Sequence, residues 1–252
     1  ASKIQSVKGT REFYPEQMAL RNFIYEKVCR ASQAFGYQEW DAPFIEPIDL
    51  YAAKSGEELV KKQSFTFTDR GGDFVTLRPE LTPSLARMIA AKQGELTFPV
   101  RWWSFGPFWR YEQPQKGRSR EFFQWNIDML GVNSPEADAE LLSVAATFLR
   151  SVGLSPELAA IYVNNRRLME SEFDALGIPP EKRLDVSNMV DRRSKMESAK
   201  WDSYVLESGI SQTQLDGLKE ILSNFDLWKK SDELVRTFAA LEALGVKEYI
   251  KF

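Results

Sequence analysis

The chain has 252 residues, 43% of them hydrophobic and 13% aromatic, enough to bury a sizeable core as one large domain or two smaller ones. Its 33 basic and 36 acidic residues give a net charge of −3, so bulk charge does not mark a nucleic-acid binder, and any such role must depend on local charge. With no histidine and one cysteine, Cys29, the chain cannot be a Ser-His-Asp or Cys-His hydrolase, hold zinc through histidine or a thiolate cluster, or close an internal disulfide.

What remains is chemistry by carboxylates, arginines, lysines and magnesium, which favours work on phosphates or charge-bearing small molecules. Cys29 lies in LRNFIYEKVCRASQAF and reads as a small core residue. No signal peptide and no membrane span are expected, since no apolar run approaches the roughly 20 residues a span requires. Cysteine usage suits a reducing cytosol, and a cytoplasmic location is expected.

In chain order, residues 15–35 carry Met18, Leu20, Phe23, Ile24 and Val28 at helical spacing between Pro15 and Gly36, which predicts a helix. YQEWDAPFIEPIDLY reads as extended, because Pro43 and Pro47 oppose helix and Trp40, Phe44 and Ile45 suit a strand or interface. Phe65 and Phe67, then Phe74, Val75 and Leu77, flank the turn signal DRGGD and predict a hairpin. RPELTPSLARMIAAKQ follows, with Thr82 as N-cap, Pro83 in the first turn and a helix running to about Gly94.

FPVRWWSFGPFWRYE predicts an aromatic strand, and EFFQWNIDMLGV a second one after a basic loop. The second strand places Phe123, Trp125, Ile127 and Met129 on one face and Phe122, Gln124, Asn126 and Asp128 on the other. Ser134 caps a helix through SPEADAELLSVAATFLRSVG, with Glu136 and Asp138 where the helix dipole favours acids, and LAAIYVNN is a short strand. Beyond about residue 164 the sequence turns charged and helix-favouring, predicting a separate helical unit.

Three constellations could carry chemistry. In Arg78-Pro79-Glu80-Leu81-Thr82, Glu80 and Thr82 either cap a helix or grip a cationic group such as an ammonium. Gln124, Asn126 and Asp128 form either an exposed sheet face or a covered one, and a covered acid needs a partner such as an ammonium or imidazole. The loop YEQPQKGRSREFF is either a solvated hairpin tip or a site where Arg110, with Arg118 or Arg120, clamps phosphate oxygens. Together they suggest one pocket with a carboxylate end for a cation and an arginine end for phosphate.

These segments resemble the histidyl-tRNA synthetase family of class II aminoacyl-tRNA synthetases. KGTREFYPEQM is similar to that family's opening segment, the helix followed by GYQEWDAPFIEP with Pro43 and Glu46 to motif 1, TLRPELTPSLAR to the histidine-binding segment, and FWRYEQPQKGRSREFFQWNIDMLG to motif 2. The resemblance implies an α+β fold: a class II antiparallel sheet flanked by helices over residues 1–163, a helical insertion domain over 164–244, and a return toward the catalytic domain over 245–252.

It further implies that Arg110 is catalytic, holding the α-phosphate, and that Glu112, Arg118 and Phe122 bind ATP with Phe122 stacking on adenine. Glu80, Thr82, Gln124 and Asp128 would bind histidine. ATP as substrate, Mg2+ with it, tRNA(His) and a homodimer through motif 1 are the implied cofactors and partners, with no metal site built by the protein itself.

The chain ends at LGVKEYIKF, where the family continues into an RGLxYYTG segment and motif 3. The expectation is therefore a truncated, N-terminal portion of a synthetase that forms histidyl-adenylate poorly by itself. The alternative is the synthetase-like regulatory subunit of ATP phosphoribosyltransferase, whose motif 2 loop is usually degenerate. A bare nucleic-acid-binding module is a third reading, opposed by the acidic total charge.

Overall fold

The computed structural model describes residues 4–52 and 63–252. Two compact units emerge, one comprising 1–133 with 147–154 and the other 134–146 with 155–252.

The first unit opens with helix α1 (Pro15–Ala34), where Pro15 occupies the first turn and the Gln17 side chain accepts from the Tyr14 N–H at 2.8 Å. Val28, Ala31 and Ser32 are its buried residues, whereas Leu20 and Phe23 of the expected apolar stripe are exposed and Cys29 is only half-buried. Strands β1 (Gln38–Glu39) and β2 (Ile45–Pro47) follow, and then a helical turn α2 (Asp49–Ala52) where the sequence reading had extended chain. Pro47 precedes that turn and its fixed φ ends the strand.

The predicted hairpin is β3 (Thr66–Thr68) with β4 (Phe74–Leu77), closed by the Asp69 N–H donating to Asp73 O at 2.9 Å. β2, β4 and β3 make one antiparallel sheet. Helix α3 (Thr82–Lys92) begins one residue earlier than expected. Thr82 is its first residue, not its cap; Leu81 stands at the cap position, and no side chain caps the helix. Pro83 still sits in the first turn, where its missing N–H costs nothing.

The frame of the unit is the pair β5 (Val100–Trp109) and β6 (Glu121–Leu130), antiparallel over their full length from Val100↔Leu130 to Trp109↔Glu121, with β1 parallel along the outer side of β5. Its odd-numbered face meets α1: Trp125 Nε1 donates to Ser32 Oγ at 3.2 Å, and Tyr25 lies against Trp103 and Phe105. Its even-numbered face carries a cluster of Trp40, Ala42, Leu81, Leu85 and Phe108, with Trp102 and Phe122 packed against it. Fully burying a ring such as Phe108 stabilises by roughly 1.5–3 kcal/mol relative to exposure, so this cluster fixes α3 on the sheet.

Helix α4 (Pro135–Ser151) divides between the two units, its start capped by the Ser134 hydroxyl, which accepts from the Ala137 N–H at 3.3 Å. The second unit continues with β7 (Ile161–Tyr162) and helices α5 (Arg166–Ala175), α6 (Arg183–Arg193), α7 (Ser198–Glu207), α8 (Gln212–Ser223) and α9 (Asp232–Ala243), and ends at β8 (Ile250–Lys251), which pairs parallel to β7. Phe173, Ile178, Val186, Met189, Trp201, Val205, Leu215 and Leu218 form its core, with Trp201 Nε1 donating to Met189 O at 2.7 Å. Asn165, Ser211 and Ser231 cap α5, α8 and α9 through their side chains.

Candidate nucleotide and amino-acid site

The loop between β5 and β6 is the best-defined candidate. It is tied at its base by the Arg110 N–H donating to Arg120 O at 2.9 Å, and at its tip by paired bonds between Gln115 and Arg118. This register turns Arg110, Glu112, Arg118 and Phe122 into one cavity of about 290 Å³, completed by Gly117 and Ser119. The four residues expected to meet ATP are thus brought together.

Within the cavity, Arg110 Nε donates to Pro79 O at 3.1 Å, and its guanidinium lies 5.1 Å from the Phe122 ring centre. Nε being engaged, the two terminal nitrogens form the fork available to a ligand. Arg118 donates to the Glu112 carboxylate at 3.2 Å across the half-open mouth. An exposed pair of this kind contributes at most about 1 kcal/mol and separates at little cost. Two guanidinium groups, a ring face and a carboxylate can cradle an anionic group attached to an aromatic base.

Arg120, the sequence alternative to Arg118, goes elsewhere. Its Nε donates to Glu112 O at 3.1 Å, its guanidinium covers the Tyr111 ring at 4.2 Å, and the N–H groups of Arg120 and Glu121 both donate to Gly9 O. Gly9 has φ +87°, and a Cβ there would lie 2.7 Å from Arg120 Cγ, so only glycine lets the opening segment dock on this loop.

On the even face of the sheet, Gln124, Asn126 and Asp128 stand opposite Gly106, Ser104 and Trp102. All three are partly buried, and Gln124 Nε2 donates to Asn126 Oδ1 at 2.8 Å, which orients the Gln124 amide. Burial pushes the Asp128 carboxyl above its ordinary value. Such a carboxylate gains from a cationic ligand that restores the lost hydration.

Glu80 lies just before α3, its carbonyl accepting from the Tyr51 hydroxyl at 3.4 Å, and the Tyr51 phenol is pushed up to about 12 chiefly by burial. Thr82 is exposed at the start of the helix. Glu80, Thr82, Gln124 and Asp128 flank the even face and are not among the residues lining the Arg110–Phe122 cavity.

Two residues the sequence reading placed in the motif 1 segment and at the head of the Arg78–Thr82 constellation hold this region in place. Arg78 is fully buried between the Phe44 and Phe108 rings, and Glu46, 2% exposed, accepts from Ser84 at 2.8 Å and from both terminal nitrogens of Arg87 at 2.5 and 2.7 Å. The sequence signal for Glu46 was a charged residue between Ile45 and Pro47 of β2, and Arg78 stands immediately after β4. No group of three potential metal ligands occurs among the described residues. Apolar cavities of the second unit, such as that of about 720 Å³ beside Tyr162, Phe225, Trp228 and Phe252, contain none of the expected site residues.

The family model for histidyl-tRNA synthetase matches residues 9–249. The chain belongs to the histidyl-tRNA synthetase family. Among curated relatives, the histidine-tRNA ligase of Leptospira biflexa is 43% identical over 80% of this chain and 46% of its own length, and that of Haloarcula marismortui is 38% identical over 97% of this chain and 59% of its own. The chain therefore spans about half to three-fifths of the length of these relatives. The crystal structure of histidyl-tRNA synthetase from Nostoc sp. PCC 7120 superimposes with a TM-score of 0.80 over 99% of this chain and 61% of that one, at 20% identity, a likeness of fold. An ATP phosphoribosyltransferase regulatory subunit/histidyl-tRNA synthetase from Bacillus halodurans gives 0.77 at 19% identity, over 100% and 69%. As members of this family, the α+β fold and the class II arrangement expected from the sequence are those observed.

Proposed function

We propose that the chain carries the ATP-facing loop and part of the histidine-binding surface of a histidine-tRNA ligase. In this reading, the histidine carboxylate attacks the α-phosphorus of ATP, pyrophosphate leaves, and the 3′-terminal ribose of tRNA(His) takes the acyl group. Arg110 holds the α-phosphate and stabilises the charge that develops there, Glu112 and Arg118 hold the nucleotide, and Phe122 stacks on adenine. Glu80, Thr82, Gln124 and Asp128 take the ammonium and imidazole groups of histidine. Catalysis rests on positioning and charge stabilisation, which needs no histidine side chain. Magnesium enters on the nucleotide, with Glu112 the carboxylate within the cavity. Residues 164–244 are the insertion domain, the active form is a homodimer through the motif 1 segment, and the location is the cytoplasm.

The observation that carries the reading is the convergence of Arg110, Glu112, Arg118 and Phe122 on one cavity. The curated relatives at 38–43% identity bear the ligase name, which favours it over the regulatory-subunit alternative, whose support is a likeness of fold at 19% identity. The test is calorimetric titration of the chain with Mg-ATP. Replacing Arg110 by Ala should weaken binding about 10- to 100-fold, the worth of a hydrogen bond to a charged group. Equal affinity in the variant would overturn the site.

A further inference from the structure

Arg78 has no route to a ligand: its side chain is fully buried, and its Nη2 fills the space a side chain at Gly106 would need, since a Cβ there would lie 2.6 Å away. Its bonds instead join three segments. Nε donates to Pro107 O at 3.1 Å on β5, while Nη1 donates to Asp41 Oδ1 at 2.5 Å and Ala42 O at 2.9 Å before β2. The backbone follows the same pattern, with the Arg78 N–H donating to Phe44 O at 2.8 Å and the Trp109 N–H donating to Arg78 O at 3.1 Å.

The Pro79 carbonyl, part of the Pro79–Glu80 peptide, holds Arg110 Nε, and the proline ring, by fixing φ at about −65°, couples that peptide's direction to the Arg78–Pro79 peptide before it. The direction of that carbonyl is therefore set by Arg78 on one side and the start of α3 on the other. Residues 78–79 and 109–110 are thus joined by two bonds, one from the Trp109 backbone and one from the Arg110 side chain.

We propose that Arg78 is a positioning residue for Arg110: it anchors the Pro79 carbonyl that engages Nε, so that the Arg110 fork faces the nucleotide phosphate. This rests on the nucleotide reading of the loop cavity. Lysine at 78 would keep the charge but lose the planar, multiply bonded fork, and with it the three directed bonds.

The experiment is a double-mutant cycle of Arg78→Lys with Arg110→Ala, read as affinity for Mg-ATP and, separately, for adenosine. Arg78→Lys should weaken Mg-ATP binding about 5- to 50-fold when Arg110 is present and less than about 2-fold when it is absent, with adenosine affinity unchanged. A role limited to fold stability would lower the melting temperature and leave the two effects on ATP additive; that outcome, or no loss of ATP affinity, overturns the proposal. If Arg110→Ala by itself leaves ATP affinity intact, the cavity reading fails, which is a separate result. Should Arg78→Lys not fold, Asp41→Asn, which weakens one bond at a half-exposed partner, decides by the same cycle with a smaller loss.

Discussion

The Glu46–Arg87 pair gives an asymmetric prediction. Glu46 is 2% exposed and Arg87 retains 40% of its side-chain exposure. Replacing Arg87 by Ala strands a buried carboxylate with Ser84 as its remaining partner. Breaking a fully buried pair costs about 3–5 kcal/mol, and the half-open arginine moves the expectation to about 2–4 kcal/mol. Replacing Glu46 by Gln removes the buried charge, leaves an oxygen to accept from Ser84, and returns Arg87 to solvent, at about 1–2 kcal/mol. In a chain of this size, each kcal/mol shifts the melting temperature by roughly 2–4 °C, so Arg87→Ala should melt about 4–16 °C lower and Glu46→Gln about 2–8 °C lower. The assay is urea and thermal unfolding at pH 7 followed by circular dichroism. In the double variant the Arg87→Ala penalty should shrink, because no charge is left unpaired. A larger cost for Glu46→Gln than for Arg87→Ala, or strict additivity, would refute the argument. Because Ser84 and Arg87 lie on α3, the slackened helix should also loosen Glu80 and Thr82 at its start.

Two further outcomes follow from the same geometry. Burial raises the folded-state value of Asp128 above its unfolded one, so the destabilisation it causes is absent below about pH 4 and grows as pH rises through the folded value. Asp128→Asn should therefore melt higher than the parent at pH 7 by a margin that closes toward pH 4, while losing affinity for histidine; a lower melting point at pH 7 would contradict this. Leu20, 64% exposed on α1, should lie in the proposed homodimer, so Leu20→Glu is expected to weaken self-association at least about 10-fold by analytical ultracentrifugation without lowering the melting temperature, and an unchanged association state would exclude it.

Much of the candidate site's geometry was legible because it is local. The alternation of β6 assigns Gln124, Asn126 and Asp128 to one face whatever surrounds the strand, and a two-strand loop of fixed register brings Arg110 and Phe122 to the same side. Helix α1 was legible for the same reason, but its inward face was not. Leu20 and Phe23 carry the right period yet remain exposed, because periodicity gives a helix an apolar side without saying what lies against it.

Sequence alone bounded the chemistry these 252 residues can supply, through the absence of histidine and the motifs that resemble a class II synthetase, and it placed the main strands and helices in order, the α2 turn excepted. Tertiary structure decided which charges face the loop cavity and which hold the frame. Arg118 and Arg120 are two residues apart and equally basic, yet one faces the cavity and the other is spent on Tyr111, Glu112 O and the opening segment. Arg78 and Arg110 differ likewise, since the first is enclosed by Phe44, Phe108 and Gly106 while the second keeps a free fork. The reason is that a guanidinium's role depends on which acceptors lie within about 3 Å, and for Arg78 and Arg110 those acceptors are 29 to 37 residues away in sequence.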